Sequence, residues 1–213
     1  MAIVKYNDRS IKDLTTAPAA VPSSPGALVH IKTLTASSSS TLSFVHGSNG
    51  VVLDSTYPIY VFKFIDIHPA SHSSQFQFNL SIDSGSNYNV TKTTTYFAAY
   101  NEETGNGNAL AYQAAYDLAQ STSFQTIMQD FDVTSYSGSG SGAGTLQLFN
   151  NSSTTFVKHF ISKCQNLRDN TYAYSNYCAG YGNTTSAVNA IQFKMSSGNI
   201  DVGKIKLYGI KDS

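Results

Sequence analysis

The group of residues most suggestive of metal binding is Asp66, His68 and His72, which give the pattern D-x-H-x3-H after an apolar run. Carboxylates and imidazoles bind zinc, and Asp66 and His68 would share one face of a strand, with His72 following a turn at Pro69. Structural zinc sites need four ligands, and the neighbouring sequence offers no fourth. The pattern therefore favours polar surface groups around a turn, and we predict no metal and no other cofactor.

Residues suited to acid–base or nucleophilic catalysis do not form a recognisable motif. Glu102 and Glu103 are adjacent, so on a strand their carboxyls point to opposite faces, whereas glycosidases hold two carboxyls across a cleft. The glycine-rich run SGSGSGAG at 137–144 is not followed by the lysine of a phosphate-binding loop. We therefore expect a protein that is not an enzyme.

A short stretch rich in tyrosine and asparagine is the candidate recognition surface. Its tyrosines are Tyr172, Tyr174, Tyr177 and Tyr181. A tyrosine ring offers apolar area with a polar tip, which suits the binding of sugars or proteins. The alternative is a strand that packs one face inward and exposes the other at a sheet edge.

Two cysteines, Cys164 and Cys178, lie symmetrically about Thr171. A hairpin centred on Thr171 would place them opposite each other, where they could form a disulfide. The favoured alternative is two small buried thiols in a reducing cytoplasm.

Strand signals with a period of two recur along most of the chain. The clearest is QFQFNLSI at 75–82, which alternates apolar and polar residues, and YVFKFIDI at 60–67 is nearly continuous in apolar residues. Further strands are predicted at 93–98, 145–149, 155–163 and 172–178. Turn residues at 83–87 predict a hairpin with 88–90, and the runs 188–195 and 204–210 predict a terminal hairpin whose last strand lies inside a sheet.

Other segments interrupt this strand pattern. Residues 109–120 could form a short helix, and 135–144 read as a flexible loop. Residues 15–40 hold three of the five prolines and a serine run, which is typical of an extended segment. We therefore predict an all-β fold, a jelly-roll-like antiparallel β-sandwich at 41–213 preceded by an extended N-terminal arm at 1–40.

Composition narrows the classes of partner. Charged residues make up 12% of the 213 residues and the formal net charge is +0, and lysine and arginine are scattered singly, which argues against nucleic-acid binding. Apolar runs are too short to span a membrane, and MAIVKYNDRS lacks the apolar core of a signal peptide. We expect synthesis in the cytoplasm without secretion through a cleaved signal.

Several stretches resemble uncharacterised virion structural proteins of tailed bacteriophages, in particular marine phages and phages of cyanobacteria. The stretches are MAIVKYNDRSI at the start, VFKFIDIHPA at 61–70, DLAQSTSFQ at 117–125, NNSSTTFVKHF at 150–160 and AGYGNTTSAVNAIQFKMSSGNIDVGKIKLYGI at 179–210. The resemblance covers most of the chain and implies a β-sandwich component of a phage particle. It carries no catalytic motif.

Two functions are compatible with that resemblance. The favoured one is a capsid decoration (cement) protein on the outer head surface, whose N-terminal arm reaches a neighbouring subunit. The alternative is a receptor- or carbohydrate-binding module of a tail or head fibre, which would bind a host-surface glycan through the tyrosine cluster. Both predict capsid or tail proteins as partners and a homo-oligomer, with a trimer favoured by the symmetry of phage capsids and fibres.

Overall fold

Two antiparallel β-sheets packed face to face make up the fold. The computed structural model describes residues 28–133, 140–168 and 171–211. The twelve strands of this part are β1 Leu28–Ser39, β2 Leu42–Val45, β3 Ile59–Pro69, β4 Phe76–Ser81, β5 Lys92–Glu102, β6 Asn108–Tyr112, β7 Gln125–Met128, β8 Gly142–Phe149, β9 Lys158–Arg168, β10 Tyr172–Gly182, β11 Ala190–Met195 and β12 Ile200–Ile210. The predicted all-β antiparallel sandwich is confirmed.

The strand order is that of a jelly roll. Strands near the two ends of the sequence pair with each other, and so do strands progressively nearer its middle: β1 with β12, β2 with β11, β3 with β8, and β4 with β7. Two further pairings, β12 with β3 and β11 with β4, complete a four-strand set in each layer. This nesting is what a long antiparallel ribbon produces when it is rolled into two sheets.

Four additional strands widen one of the two sheets. The hairpin β5–β6 is inserted between β4 and β7, and the hairpin β9–β10 between β8 and β11. Both extend the sheet beyond β8, which gives the order β1-β12-β3-β8-β9-β10-β5-β6 against the four-stranded β2-β11-β4-β7. We refer to β9, β10, β5 and β6 as the extension.

The core between the sheets is centred on Phe193 of β11, which is fully buried. Phe193 contacts five other phenylalanine rings from both sheets: Phe44, Phe62, Phe64, Phe76 and Phe78, at centroid distances of 6.3, 5.4, 5.3, 5.7 and 6.4 Å. These residues occupy alternate, inward positions of their strands, as the period of two requires. One ring therefore packs against both layers.

The predicted terminal hairpin is wrong. β11 lies in the four-stranded sheet and β12 in the eight-stranded sheet, so the turn at 196–199 carries the chain from one layer to the other. Gly198 enables this crossing with a φ of 70°, a conformation that glycine adopts without steric strain. The accompanying prediction that the last strand lies inside a sheet is confirmed, since β12 pairs with β1 and β3.

Two further local predictions are also wrong. Residues 88–90 do not form a strand beside β4, whose neighbours are β11 and β7, and after the turn the chain enters the other sheet as β5. The short helix that residues 109–120 could form is absent, because residues 108–112 pair with β5 as β6. In both cases pairing with strands distant in sequence overrides the local pattern.

The boundary predicted between arm and sandwich also moves. Residues 28–39, assigned to the arm, form β1 and pair along their length with β12. Residues 1–27 of the predicted arm lie outside the described residues. The predicted loop at 135–144 lies partly outside them, and its last residues begin β8, where Gly144 is required because a Cβ there would come within 2.6 Å of the Cys164 backbone.

Candidate interaction surface

Strand β10 divides the four candidate tyrosines between the two faces of the sheet. Tyr174 faces inward and is 5% exposed, and Tyr172 shares its face, two residues away. Tyr177 and Tyr181 occupy the alternate positions and point outward. The structure thus brings the four together in pairs and not as one surface, and a recognition role for them remains a prediction.

Tyr174 is held in a network on the inner face. Its ring stacks on Tyr100 at a centroid distance of 4.7 Å, and the Arg168 guanidinium lies 4.9 Å from its centroid. Arg168 also donates hydrogen bonds to the Tyr174 hydroxyl at 3.1 Å and to Asp130 at 3.2 Å, while Tyr116 donates to Asp130 at 2.6 Å. These contacts fix Tyr174 within the fold, which leaves the outward pair as the better candidates for binding.

Outward side chains of the eight-stranded sheet form rows that cross the strands, because directly paired residues lie on the same face. One such row, here the central row, crosses all eight strands. From β1 to β6 it reads Thr33, Lys206, Lys63, Thr145, Lys163, Tyr177, Phe97 and Tyr112. Three lysines and two threonines therefore occupy its first five places, and aromatic rings its last three.

The aromatic part of the central row is open to solvent. Phe97 and Tyr112 are 41% and 56% exposed, and Phe97 stacks on Tyr177 with the centroids 4.9 Å apart and the planes within 5°. In the rows on either side, Leu110 of β6 is 71% exposed and Ile161 of β9 is 43% exposed. A contiguous apolar face of this kind is typical of an interaction site.

A groove of about 490 Å³ crosses the extension beside the central row. Ile161, Ala179 and Thr95 pair across β9, β10 and β5 and line its floor. Tyr181 and His159 line one side, with their rings in edge contact at 6.2 Å. The small side chain of Ala179, between two outward tyrosines, forms the depression.

The residues of the proposed metal pattern do not converge. His68 Nδ1 lies 2.5 Å from the carbonyl oxygen of Gly140, and His72 Nδ1 lies 3.7 Å from Asp132 Oδ1. Asp66 has a φ of 51° where β3 and β12 change register. Among residues 28–133, 140–168 and 171–211, no three His, Cys, Asp or Glu side chains are grouped so as to hold a metal ion.

Two lysines are buried on the inner face beside Gly182, which pairs with both of them. Lys92 donates to Val90 O at 2.8 Å and to the Asn79 side-chain oxygen, and burial lowers its pKa from 10.5 to about 7. Lys158 donates to three carbonyl oxygens at 2.6, 2.7 and 3.2 Å, and burial lowers its pKa as well. Both ammonium groups thus bind backbone or amide oxygens within the fold.

The cysteines are free and buried. The hairpin β9–β10 forms, but Cys164 pairs with Asn176 and Cys178 with Ser162, so the register is offset by two residues from the one that would place the thiols opposite each other. Burial raises the pKa of Cys164 to about 12 and raises that of Cys178 too. The favoured sequence alternative, two buried thiols, is confirmed.

Comparison with known proteins finds no protein family, no curated protein and no solved structure that matches this chain. In the part of the chain that the structure describes, no helix has the length and apolar character needed to cross a membrane.

The sequence indicated only part of the outer face. Tyr177 and Tyr181 were visible as a cluster, but Phe97 and Tyr112 lie far earlier in the chain. The signal available was the alternation within each strand; the missing information was the register that aligns β10 with β5 and β6.

Proposed function

We propose that this protein is a structural component of a tailed-phage virion and acts as a capsid decoration (cement) protein on the outer surface of the head. The observation that carries the proposal is the outer face of the eight-stranded sheet, where exposed apolar and aromatic side chains run in rows across the extension. Large exposed apolar faces are features of proteins that bind other proteins. The sequence resemblance to phage virion proteins supplies the context.

The jelly roll supports this function without selecting it. The architecture occurs in viral capsid proteins and also in lectins, so the choice rests on the surface. A cement protein stabilises a shell by adding buried area across the junctions between capsid subunits. A broad, pre-formed sheet face binds another protein subunit without an ordering penalty.

Cryo-electron microscopy of intact particles tests the decoration role. We expect density for the sandwich at regular positions over the whole shell. Density restricted to the tail or to a unique vertex would contradict the decoration role. A second test removes residues 1–26 of the predicted arm: attachment to heads should be lost while the circular dichroism of the sandwich is kept.

A second candidate function, glycan binding by a fibre module, is favoured by the outer groove. Tyr181, His159 and Thr95 combine ring faces with hydroxyl and imidazole groups around about 490 Å³, a volume within the usual range for small-ligand sites. Glycan arrays should then show binding that Tyr181→Ala weakens. Tyr208→Ala is the matched control, because Tyr208 lies on the same sheet in β12, four strands away. Equal binding by both variants argues against this function.

A further inference from the structure

We infer that the outer face of the eight-stranded sheet binds a second copy of this chain, through a two-fold axis that lies in the interface parallel to the strands between β8 and β9. This inference deepens the proposed function, on which it rests, by naming the partner of the apolar face. The observation behind it is the division of the central row into a lysine part and an aromatic part.

A strand-parallel two-fold axis makes the central row complementary to itself. The axis runs between the fourth and fifth of the eight strands, so each strand faces the partner strand that is equally far from the axis on the other side. Lys63 of β3 then faces Tyr177 of the partner, and Lys206 of β12 faces the partner's Phe97. Each dimer gains four ammonium–aromatic contacts, of the kind that Lys63 already makes with Tyr208 at 5.3 Å within the chain.

The neighbouring row brings no charged groups together under the same operation. It contains Val61, Gln147, Ile161 and Ala179 on consecutive strands. Gln147 then faces the partner's Ile161, which is 43% exposed, and Val61, which is only 5% exposed, faces the partner's Ala179. Uncharged side chains thus meet across the interface beside the lysine–aromatic contacts.

The charges of this face favour a partner with aromatic rings over one with a similar lysine row. The central row carries Lys206, Lys63 and Lys163 and no carboxylate. Direct superposition of like rows would bring ammonium groups together, which is unfavourable. The two-fold arrangement avoids this, because the lysines of β12 and β3 meet the aromatic residues of β5 and β10, respectively.

The area of the face matches what a stable dimer needs. Strands lie about 4.8 Å apart, so eight strands span about 38 Å, and rows covering six residues span about 20 Å. The product, about 760 Å² per subunit, is close to the roughly 800 Å² per partner of a standard interface. Sheets that pack face to face lie about 10 Å apart, with strand directions within about 30° of each other. A lysine side chain from one sheet and an aromatic ring from the other fill a gap of this size.

Mass measurement on the full chain is the first test. For a chain of 22.9 kDa, sedimentation equilibrium should give about twice this mass at micromolar concentration, and Phe97→Glu should shift the protein to the monomer. Phe156→Glu is the control, because Phe156 is 67% exposed but lies outside the strands, and it should leave the dimer intact. A wild-type monomer, or a trimer as the symmetry of phage particles suggested, overturns the inference.

Cross-linking tests the symmetry itself. Lys63→Cys combined with Tyr177→Cys should be joined between chains by a short bis-maleimide, because the two positions face each other across the axis. Each single variant should resist cross-linking, since β3 and β10 lie three strands apart and a residue is then about 14 Å in the plane from its own copy. Efficient cross-linking of a single variant, or none by the pair, overturns the proposed axis.

These results separate the inference from the proposed function. A monomer that still decorates heads in cryo-electron microscopy keeps the function and assigns the face to the capsid. A dimer with the expected cross-link that is absent from the head keeps the inference and removes the decoration role.

Discussion

Replacing Lys92 by methionine should stabilise the protein at neutral and acidic pH, although it removes two hydrogen bonds. The Lys92 side chain is fully buried, and its ammonium donates to Val90 O at 2.8 Å and to the Asn79 side chain. Desolvation is the cause of its pKa change from 10.5 to about 7. The folded state therefore disfavours the charged lysine.

The sign of the pH dependence follows from the two pKa values. Between pH 7 and 10.5 the unfolded chain binds a proton that the folded chain lacks, so the free energy of unfolding rises with pH across this range. Below the folded pKa both states are protonated, and the full penalty, up to about 5 kcal/mol, is present. Lys92 alone should raise the unfolding free energy by roughly 2–3 kcal/mol between about pH 6 and about pH 9.

Methionine keeps most of the volume and removes the titration. The Asn79 oxygen keeps a partner in Leu80 N at 2.8 Å, so the main loss is the hydrogen bond to Val90 O, about 1 kcal/mol. Lys92→Met should then exceed the wild type in stability by roughly 2–4 kcal/mol near pH 6, with the gap shrinking as pH rises.

Urea unfolding followed by circular dichroism at several pH values measures this. The difference between the profiles of wild type and variant isolates Lys92, because all other titrating groups are common to both. Lys211→Met is the matched control, since Lys211 is exposed and its profile should parallel the wild type. A Lys92→Met profile parallel to the wild type would refute the reasoning.

Two further outcomes are expected. Phe193→Ala should lower the unfolding free energy by about 3–5 kcal/mol because it empties the centre of the core, whereas the exposed Phe156→Ala should change it by less than about 0.5 kcal/mol; equal effects in urea titrations would contradict the core assignment. Cys164 and Cys178, both buried with raised pKa values, should react with a thiol reagent at pH 8 only after unfolding; rapid labelling of the native protein would show that the thiols are accessible.

Strands with one buried face could be predicted from the sequence. In β12, Ile205 and Leu207 are fully buried and the alternating Lys204 and Lys206 are not, so the alternation reports the face directly. β7 is different: all four of its residues are buried, and Gln125 and Thr126 are polar. Gln125 accepts from the Thr94 hydroxyl at 2.7 Å and donates to Tyr116 O at 2.8 Å. Such a strand has no periodic signal, because hydrogen bonds replace apolarity.

Pairing could not be predicted from adjacency in the chain. Both wrong hairpins joined segments separated by a turn with residues of positive φ, including Gly85 and Gly198. The turns were recognised correctly, but in a jelly roll such a turn can lead into the opposite layer. What decides is the burial of each strand against partners far away, and a single sequence does not record that.

The candidate surface shows the same limit. The tyrosines of β10 were singled out as a group because they are close in sequence, yet the sheet places Tyr174 inside and Tyr177 outside. The residues that complete the outer face, Phe97 and Lys63, belong to strands on either side of β10. Their alignment into one row depends on the register of seven successive pairings.

The proposed two-fold axis also has a consequence for attachment. A rotation about an axis parallel to the strands keeps each residue at its own height along the strand direction. Leu28 begins β1 at the end of the sheet where it pairs with Ile210, which pairs in turn with Ile59. In the dimer both copies of Leu28 therefore lie at the same end, at opposite edges about 34 Å apart in the plane of the sheet. The segments preceding residue 28 would start from one side of the dimer, so that one dimer would contact the capsid at two points. Two linked contacts bind more tightly than one, because the second forms at a high effective concentration. Dimerisation through the sheet face would therefore strengthen attachment and leave the end that carries Leu28 free to make it.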